Sequence, residues 1–217
     1  MIIAIDGPAG SGKSTTAKLL ADKLGFIYLD TGAMYRAVTL FLLNNKIDIN
    51  NTVDIQESLR KIDLSIKNED KFEVYLNSKN VTDNLRQTSI DDLVSYVSKI
   101  LDVREKMVIL QRSFSNNKNI VVEGRDIGSN VFPNADFKFF LIADVMERAK
   151  RRFNDQGYEN KLTIPELVEK IKKRDRIDSS RLISPLIKVD DAIEINTTSL
   201  TIEEQVTKIY DIIIEVT

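Results

Sequence analysis

The chain is expected to form an α/β fold: a five-stranded parallel sheet covered by helices on both faces. Two observations predict it. Strand-like apolar runs alternate with helical patterns along most of the chain. The first run, Ile2-Ile3-Ala4-Ile5, passes through a glycine-rich turn into a helical stretch, the strand–turn–helix order of a nucleotide-binding sheet. The strands fall at 2–5, 26–29, 120–123, 137–142 and 192–195. The helices fall at about 13–24, 33–44, 90–115, 144–154, 164–176 and 202–216. Gly25 suits the position just past the first helix. Thr163 with Glu166, and Thr201 with Glu204, have capping-box spacing at two helix starts.

Two segments interrupt the rhythm. Ile62, Leu64 and Ile66 alternate with polar residues, as do Phe72, Val74 and Leu76 after the polar turn Asn68-Glu69-Asp70. This period of two predicts a hairpin with one buried face, and the turn Asn77-Ser78-Lys79-Asn80 leads into a third strand at Val81-Thr82. The hairpin region, 62–82, is a small antiparallel insert. The second interruption, 154–161, is short, polar and contains Gly157; it fits either a lid over a substrate or an ordinary helix connector.

Composition narrows the chemistry. At 217 residues and 42% hydrophobic, the chain can bury a core. A net charge of −2 argues against a general nucleic-acid binder. No cysteine means no disulfide, thiolate nucleophile or zinc finger; no histidine removes Ser-His-Asp hydrolysis. Carboxylates, lysines or water must carry any acid–base step. Met1-Ile2-Ile3 leads directly into the first strand, so no signal peptide is read, and no apolar run reaches the length of a membrane span. A cytoplasmic protein is the expectation. From Asp144 to Arg181 basic residues outnumber acidic ones, 11 to 8. Most of these charges suit solvated helix faces, and a minority could serve a polyphosphate.

Gly7-Pro8-Ala9-Gly10-Ser11-Gly12-Lys13-Ser14 reads G-x-x-x-x-G-K-[ST], the phosphate-binding P-loop pattern. Glycines allow backbone N–H groups to turn in around phosphate oxygens. Lys13 would reach the β- and γ-phosphates, and the Ser14 hydroxyl would hold Mg²⁺. The helix that follows adds its positive end. Other clusters are less decisive alone. Asp30-Thr31-Gly32 lies at the sheet's carboxyl edge, where open α/β folds bind ligands. Arg36, one turn into an apolar helix, is either a surface arginine or a phosphate clamp. Arg125-Asp126, between Gly124 and Gly128, is either a structural ion pair or a polar ligand contact. Arg174, Asp178 and Arg181 share a face if their helix continues, which also describes a salt-bridged helix end. Nothing local marks Ser95 or Arg104.

Taken in order, these segments resemble the bacterial cytidylate kinases, of the nucleoside monophosphate kinase family. The likeness runs from GPAGSGKST through LDTGAMYRA, the hairpin insert, S-Y-V-S…V-R, EGRDIG…VFP-x-A and ERAKRR to RD-x-x-D-x-x-R. It implies a P-loop kinase core as a single domain over 1–217, with an NMP-binding insert at about 33–97 and a lid at about 150–166. It further implies that ATP and Mg²⁺ phosphorylate CMP or dCMP, that the protein is a monomer, and that neither nucleic acid nor membrane is a partner. By the same resemblance Gly7, Pro8, Ala9, Gly10, Ser11, Gly12, Lys13, Ser14 and Thr15 would cradle ATP, with Arg148 and Arg152 approaching it. Arg36, Arg125 and Arg181 would hold the acceptor's 5′-phosphate and the transferring group. Ser95, Arg104 and Asp126 would read the cytosine edge, Arg174 and Asp178 would face the sugar, and Thr31 would join the CMP site. Thr31 stands where serine is common, Glu123 where aspartate is, and Ile177 where a charged residue is frequent. Three alternatives remain at this point: a P-loop kinase for another small acceptor, a GTP-dependent switch, and an ATP-binding module without turnover. A switch needs Asn-Lys-x-Asp at a strand end; Asn117-Lys118-Asn119 lacks the aspartate and precedes its strand.

Overall fold

A computed structural model describes residues 1–68, 71–116, 118–155 and 162–216. The chain folds as two compact units, Met1–Asp30 with Phe114–Thr217, and Thr31–Ser113. In the first unit the strands are β1 (Ile2–Asp6), β2 (Ile27–Asp30), β6 (Ile120–Gly124), β7 (Phe137–Ile142) and β8 (Ile193–Asn196). They form one parallel sheet in the order β2-β6-β1-β7-β8. Ile3, Ala4 and Ile5 are buried, as are Ile120, Val121 and Val122, so the central strands are apolar on both faces, as a sheet covered on both sides demands. Central β1 delivers the glycine-rich turn at its carboxyl end, directly before helix α1 (Lys13–Leu24).

The helices of this unit end where local chemistry ends them. Gly25, at φ +66°, closes α1 with a left-handed cap. The Thr163 N–H donates to Glu166 Oε2 at 2.7 Å at the start of α7 (Ile164–Ser179), and Thr201 and Glu204 exchange bonds of 2.8 and 3.2 Å before α8 (Ile202–Val216). Helix α6 (Val145–Asn154) packs on α7 through Ala149, Leu167, Val168 and Ile171. Of the sequence-predicted lid, 156–161 lies outside the described residues.

The second unit holds α2 (Thr31–Asn44), α3 (Thr52–Arg60), strands β3 (Leu64–Asn68), β4 (Phe72–Leu76) and β5 (Lys79–Asn80), a 3₁₀ turn at Thr82–Arg86, α4 (Thr88–Val97) and α5 (Leu101–Phe114), the last of which ends one residue into the first unit. The predicted hairpin is present in register, Leu64 facing Leu76 and Ile66 facing Val74, with Leu64, Val74 and Leu76 buried. Its Glu69 and Asp70 lie outside the described residues. The third strand begins earlier than expected, because Asn77 and Ser78 both take positive φ (49° and 65°) and turn the chain in two residues.

Two expectations are corrected. The single helix expected over 90–115 is two helices, broken at 98–100 without glycine or proline. There the Ser98 hydroxyl donates to the Ser95 carbonyl at 3.1 Å, and Arg104 Nη1 takes the Ser98 carbonyl at 3.1 Å. Side-chain partners for the last carbonyls make the break tolerable. Helix α3 was not expected at all. Asn51 caps its N-terminus by accepting from the Val53 and Asp54 N–H groups, and Lys106 Nζ donates to the Leu59 and Ile62 carbonyls at its far end.

Candidate active site

The phosphate loop is shaped by contacts that exclude side chains. A Cβ on Gly7, at φ +155°, would lie 2.3 Å from the Leu141 carbonyl oxygen; one on Gly10, at φ +77°, would press on Arg148 at 3.1 Å. Pro8, Ala9 and Ser11 fill the turn, with Ala9 and Ser11 buried, while Gly12 leads into α1 and Thr15 is exposed on it. The loop is braced from behind. Arg148 Nη1 donates to the Ala9 carbonyl at 3.1 Å and to Asp175 Oδ2 at 2.7 Å, while its Nε donates to the Ala143 carbonyl at 3.0 Å. The Thr197 hydroxyl donates to the Ser11 carbonyl at 2.9 Å and Thr16 donates to Gln205 Oε1 at 2.8 Å. Arg148, read from resemblance as approaching ATP, is thus bonded to the loop's backbone. Arg152, four residues on, is half-buried on the same helix.

Lys13 Nζ lies 3.7 Å from Glu123 Oε2, and the Ser14 hydroxyl bonds to the same carboxylate. Both charged groups are buried. Burial draws the Lys13 ammonium down from 10.5 to about 7, Arg125 and Arg174 push the same way, and Glu123 and Asp30 oppose them. Burial, and then the Asp30 carboxylate, push Glu123 up; Lys13, Ser14 and Arg125 act against that. The β2–β6 register sets Asp30 opposite Glu123 at the carboxyl edge. Two carboxylates and a hydroxyl beside the phosphate loop are hard oxygen donors, the set a magnesium ion accepts. Among the described residues no group of three or more acidic side chains could hold a metal ion. Sequence reasoning treated Glu123 only as a replacement for aspartate; its place at the end of the buried strand Ile120-Val121-Val122 was the available signal.

A second cluster gathers Arg125, Arg174, Asp178 and Arg181. Arg125 Nε donates to Asp178 Oδ2 at 2.9 Å, Arg174 Nε lies 3.9 Å from that oxygen, and Arg181 Nε donates to the Asp178 carbonyl at 3.2 Å. Helix α7 stops at Ser179, so Arg181 reaches this cluster from beyond the helix rather than along its face. Burial raises the Asp178 carboxyl, but Arg125, Arg174 and Arg181 outweigh it and hold the group below the ordinary carboxylate range. Arg125 therefore pairs with Asp178, not with its neighbour Asp126, which is buried and accepts from Asn130 Nδ2 at 3.2 Å. Asp6, the last residue of β1, accepts the Ile127 and Gly128 N–H groups at 2.9 and 2.8 Å. Burial pushes its carboxyl up to about 7 against the pull of those two amides.

In the second unit Thr31 is buried at the first turn of α2, and Arg36 Nη2 lies 3.4 Å from Asp91 Oδ1 on α4. Ser95 is buried one turn beyond Asp91. Arg104, 2% exposed, lies over the Tyr35 ring at 5.7 Å. Of the imitation of a guanine-reading motif, Asn117 lies outside the described residues. Asn119 precedes β6 and accepts the Met1 amino group at 2.7 Å, so it stands at the amino edge, opposite the phosphate loop.

A family model described as cytidylate kinase matches residues 3–215. A cytidylate kinase of Fusobacterium nucleatum is 52% identical over 206 residues, covering 94% of this chain and 93% of its own. One from Bacillus licheniformis is 46% identical, covering 98% of this chain and 96% of its own. Among solved structures, a shikimate kinase from Acinetobacter baumannii in complex with shikimate superposes with a TM-score of 0.51 at 14% identity, over 100% of this chain and 94% of that one. At that identity the likeness concerns the fold alone. Among the described residues no helix is long and apolar enough to cross a membrane.

Proposed function

Because the chain belongs to the cytidylate kinase family, we propose that it transfers the γ-phosphoryl group of ATP to CMP or dCMP, giving ADP and CDP or dCDP. The observation that carries the reading is the joining of Lys13, Ser14 and Glu123 at the end of a phosphate loop in the same unit as the Arg125–Asp178–Arg174–Arg181 cluster. Phosphoryl transfer asks for in-line placement and positive charge around the equatorial oxygens, and little covalent chemistry. The loop's amides and Lys13 hold the donor phosphates. A triphosphate beside Lys13 adds negative charge and favours the ammonium form against its burial. Ser14 and Glu123 would hold Mg²⁺, which neutralises charge on the donor phosphates when bound.

Arg36, Arg125 and Arg181 are assigned to the acceptor phosphate and the transferring group, Arg174 and Asp178 to the sugar, and Thr31, Ser95, Arg104 and Asp126 to the rest of the acceptor. An ionised Asp126 accepts from the exocyclic amine of cytosine and repels the carbonyl that uracil carries there, a preference of about 1–3 kcal/mol. The CMP phosphate is largely a dianion near neutral pH, so a chain without histidine lacks nothing the reaction needs.

The test is an acceptor panel of CMP, dCMP, UMP, AMP, GMP and shikimate at fixed Mg-ATP, read by ADP release. CMP or dCMP is expected to lead. Asp126→Ala is expected to raise the KM for CMP relative to UMP. A panel led by another acceptor, or no turnover at all, would overturn the reading.

A further inference from the structure

The turn that carries Arg125 and Asp126 is held by a residue from another strand. Asp6 closes β1, opposite Gly124 in the β1–β6 register. Its two carboxylate oxygens are used separately, Oδ1 on the Ile127 N–H and Oδ2 on the Gly128 N–H. These amides begin the irregular turn Ile127–Val131, in which the Asp126 carbonyl takes the Asn130 and Val131 N–H groups at 2.9 and 3.1 Å. The turn is also packed tightly, since a Cβ on Gly128 would meet Lys138 at 3.2 Å. Asp126 itself has φ −143° and ψ 29°, belonging to neither strand nor helix, so its direction depends on what fixes the next two residues.

We propose that Asp6 is a positioning residue for the acceptor: its two-oxygen clamp on Ile127 and Gly128 sets the direction of Arg125 and Asp126. The inference rests on the reading that those two side chains contact the acceptor. A buried carboxylate is costly to keep for packing alone, and an apolar strand end would serve the sheet equally well. What the carboxylate adds is two acceptors on one rigid planar group. Asparagine has the same shape but one acceptor oxygen, and turns an NH₂ toward the second amide.

The experiment is Asp6→Asn, with steady-state kinetics for CMP, UMP and ATP beside a thermal melt. The KM for CMP is expected to rise about tenfold, the effect of leaving one buried amide unpaired. The CMP-over-UMP preference should fall, while the KM for ATP stays within about twofold because the phosphate loop keeps its own braces. Equal changes in both substrates' KM, or an unaltered CMP-over-UMP preference, would overturn the proposal. Should Asp6→Asn fail to fold, Asp6→Ser keeps one acceptor and is judged by the same ratio. If the unsubstituted protein phosphorylates CMP and only the ratio fails to move, the clamp is wrong and the function stands. If the unsubstituted protein does not phosphorylate CMP, the function itself fails.

Discussion

Replacing Arg148 by alanine tests whether the phosphate loop depends on a helix far from it in sequence. The guanidinium makes three bonds, to the Ala143 carbonyl, the Ala9 carbonyl and Asp175 Oδ2, and its side chain is 8% exposed. Bonds from a charged donor contribute about 1.5–3 kcal/mol each at most. Two corrections lower the total. The freed carbonyls regain water through the space left behind, and Asp175, a quarter exposed, relaxes into solvent rather than standing as a buried unpaired charge. A net loss of about 2–4 kcal/mol in unfolding free energy follows. The Ala9 carbonyl also loses its tether, so the KM for ATP should rise about tenfold, equivalent to 1.4 kcal/mol, with the KM for CMP little changed. Urea titration at constant m-value measures the first quantity and initial rates the second. A double-mutant cycle with Asp175→Asn should show a coupling of about 1–3 kcal/mol. If Arg148 instead touched ATP directly, freeing it by Asp175→Asn would lower the KM for ATP or leave it alone. That result, or additivity of the two substitutions, would refute the bracing role.

Two more predictions concern charge. Asp178 has a folded-state pKa below its unfolded value of 3.8, so its ion pairs stabilise the fold fully above that value and are lost as pH falls through the folded pKa. The melting temperature of Asp178→Asn should therefore converge with that of the unsubstituted protein in acid and stand at a constant full separation above about pH 5; an equal separation at every pH, acid included, would argue against it. Glu123→Gln keeps the Ser14 contact but removes the charge facing Lys13. Turnover should fall at least about tenfold and the Mg²⁺ concentration for half-maximal rate should rise, and an unshifted Mg²⁺ titration would remove Glu123 from the metal's surroundings.

Short-range chemistry was readable without coordinates. The phosphate loop, the left-handed Gly25, both capping boxes and the alternating hairpin each depend on residues within a few positions of one another, so spacing alone carries them. The order of motifs also pointed to the family. Helix α3 is closed at its far end from a distance, by Lys106 reaching the Leu59 carbonyl from 47 residues away, whereas the break at 98–100 is held locally, by Ser98 on the Ser95 carbonyl and Arg104 on the Ser98 carbonyl, with no glycine or proline to mark it.

The same distinction governs the site. The glycines, lysine and serine of the phosphate-loop pattern are local to one turn. What aims them is not: Arg148 meets Ala9 from 139 positions away, Thr197 meets Ser11 from 186, and Asp6 meets Ile127 from 121. Burial can make an acid's charge costly or useful only once the chain has closed around it, so Asp6 and Glu123 look like ordinary acids in sequence and become buried, raised carboxyls only in the folded protein.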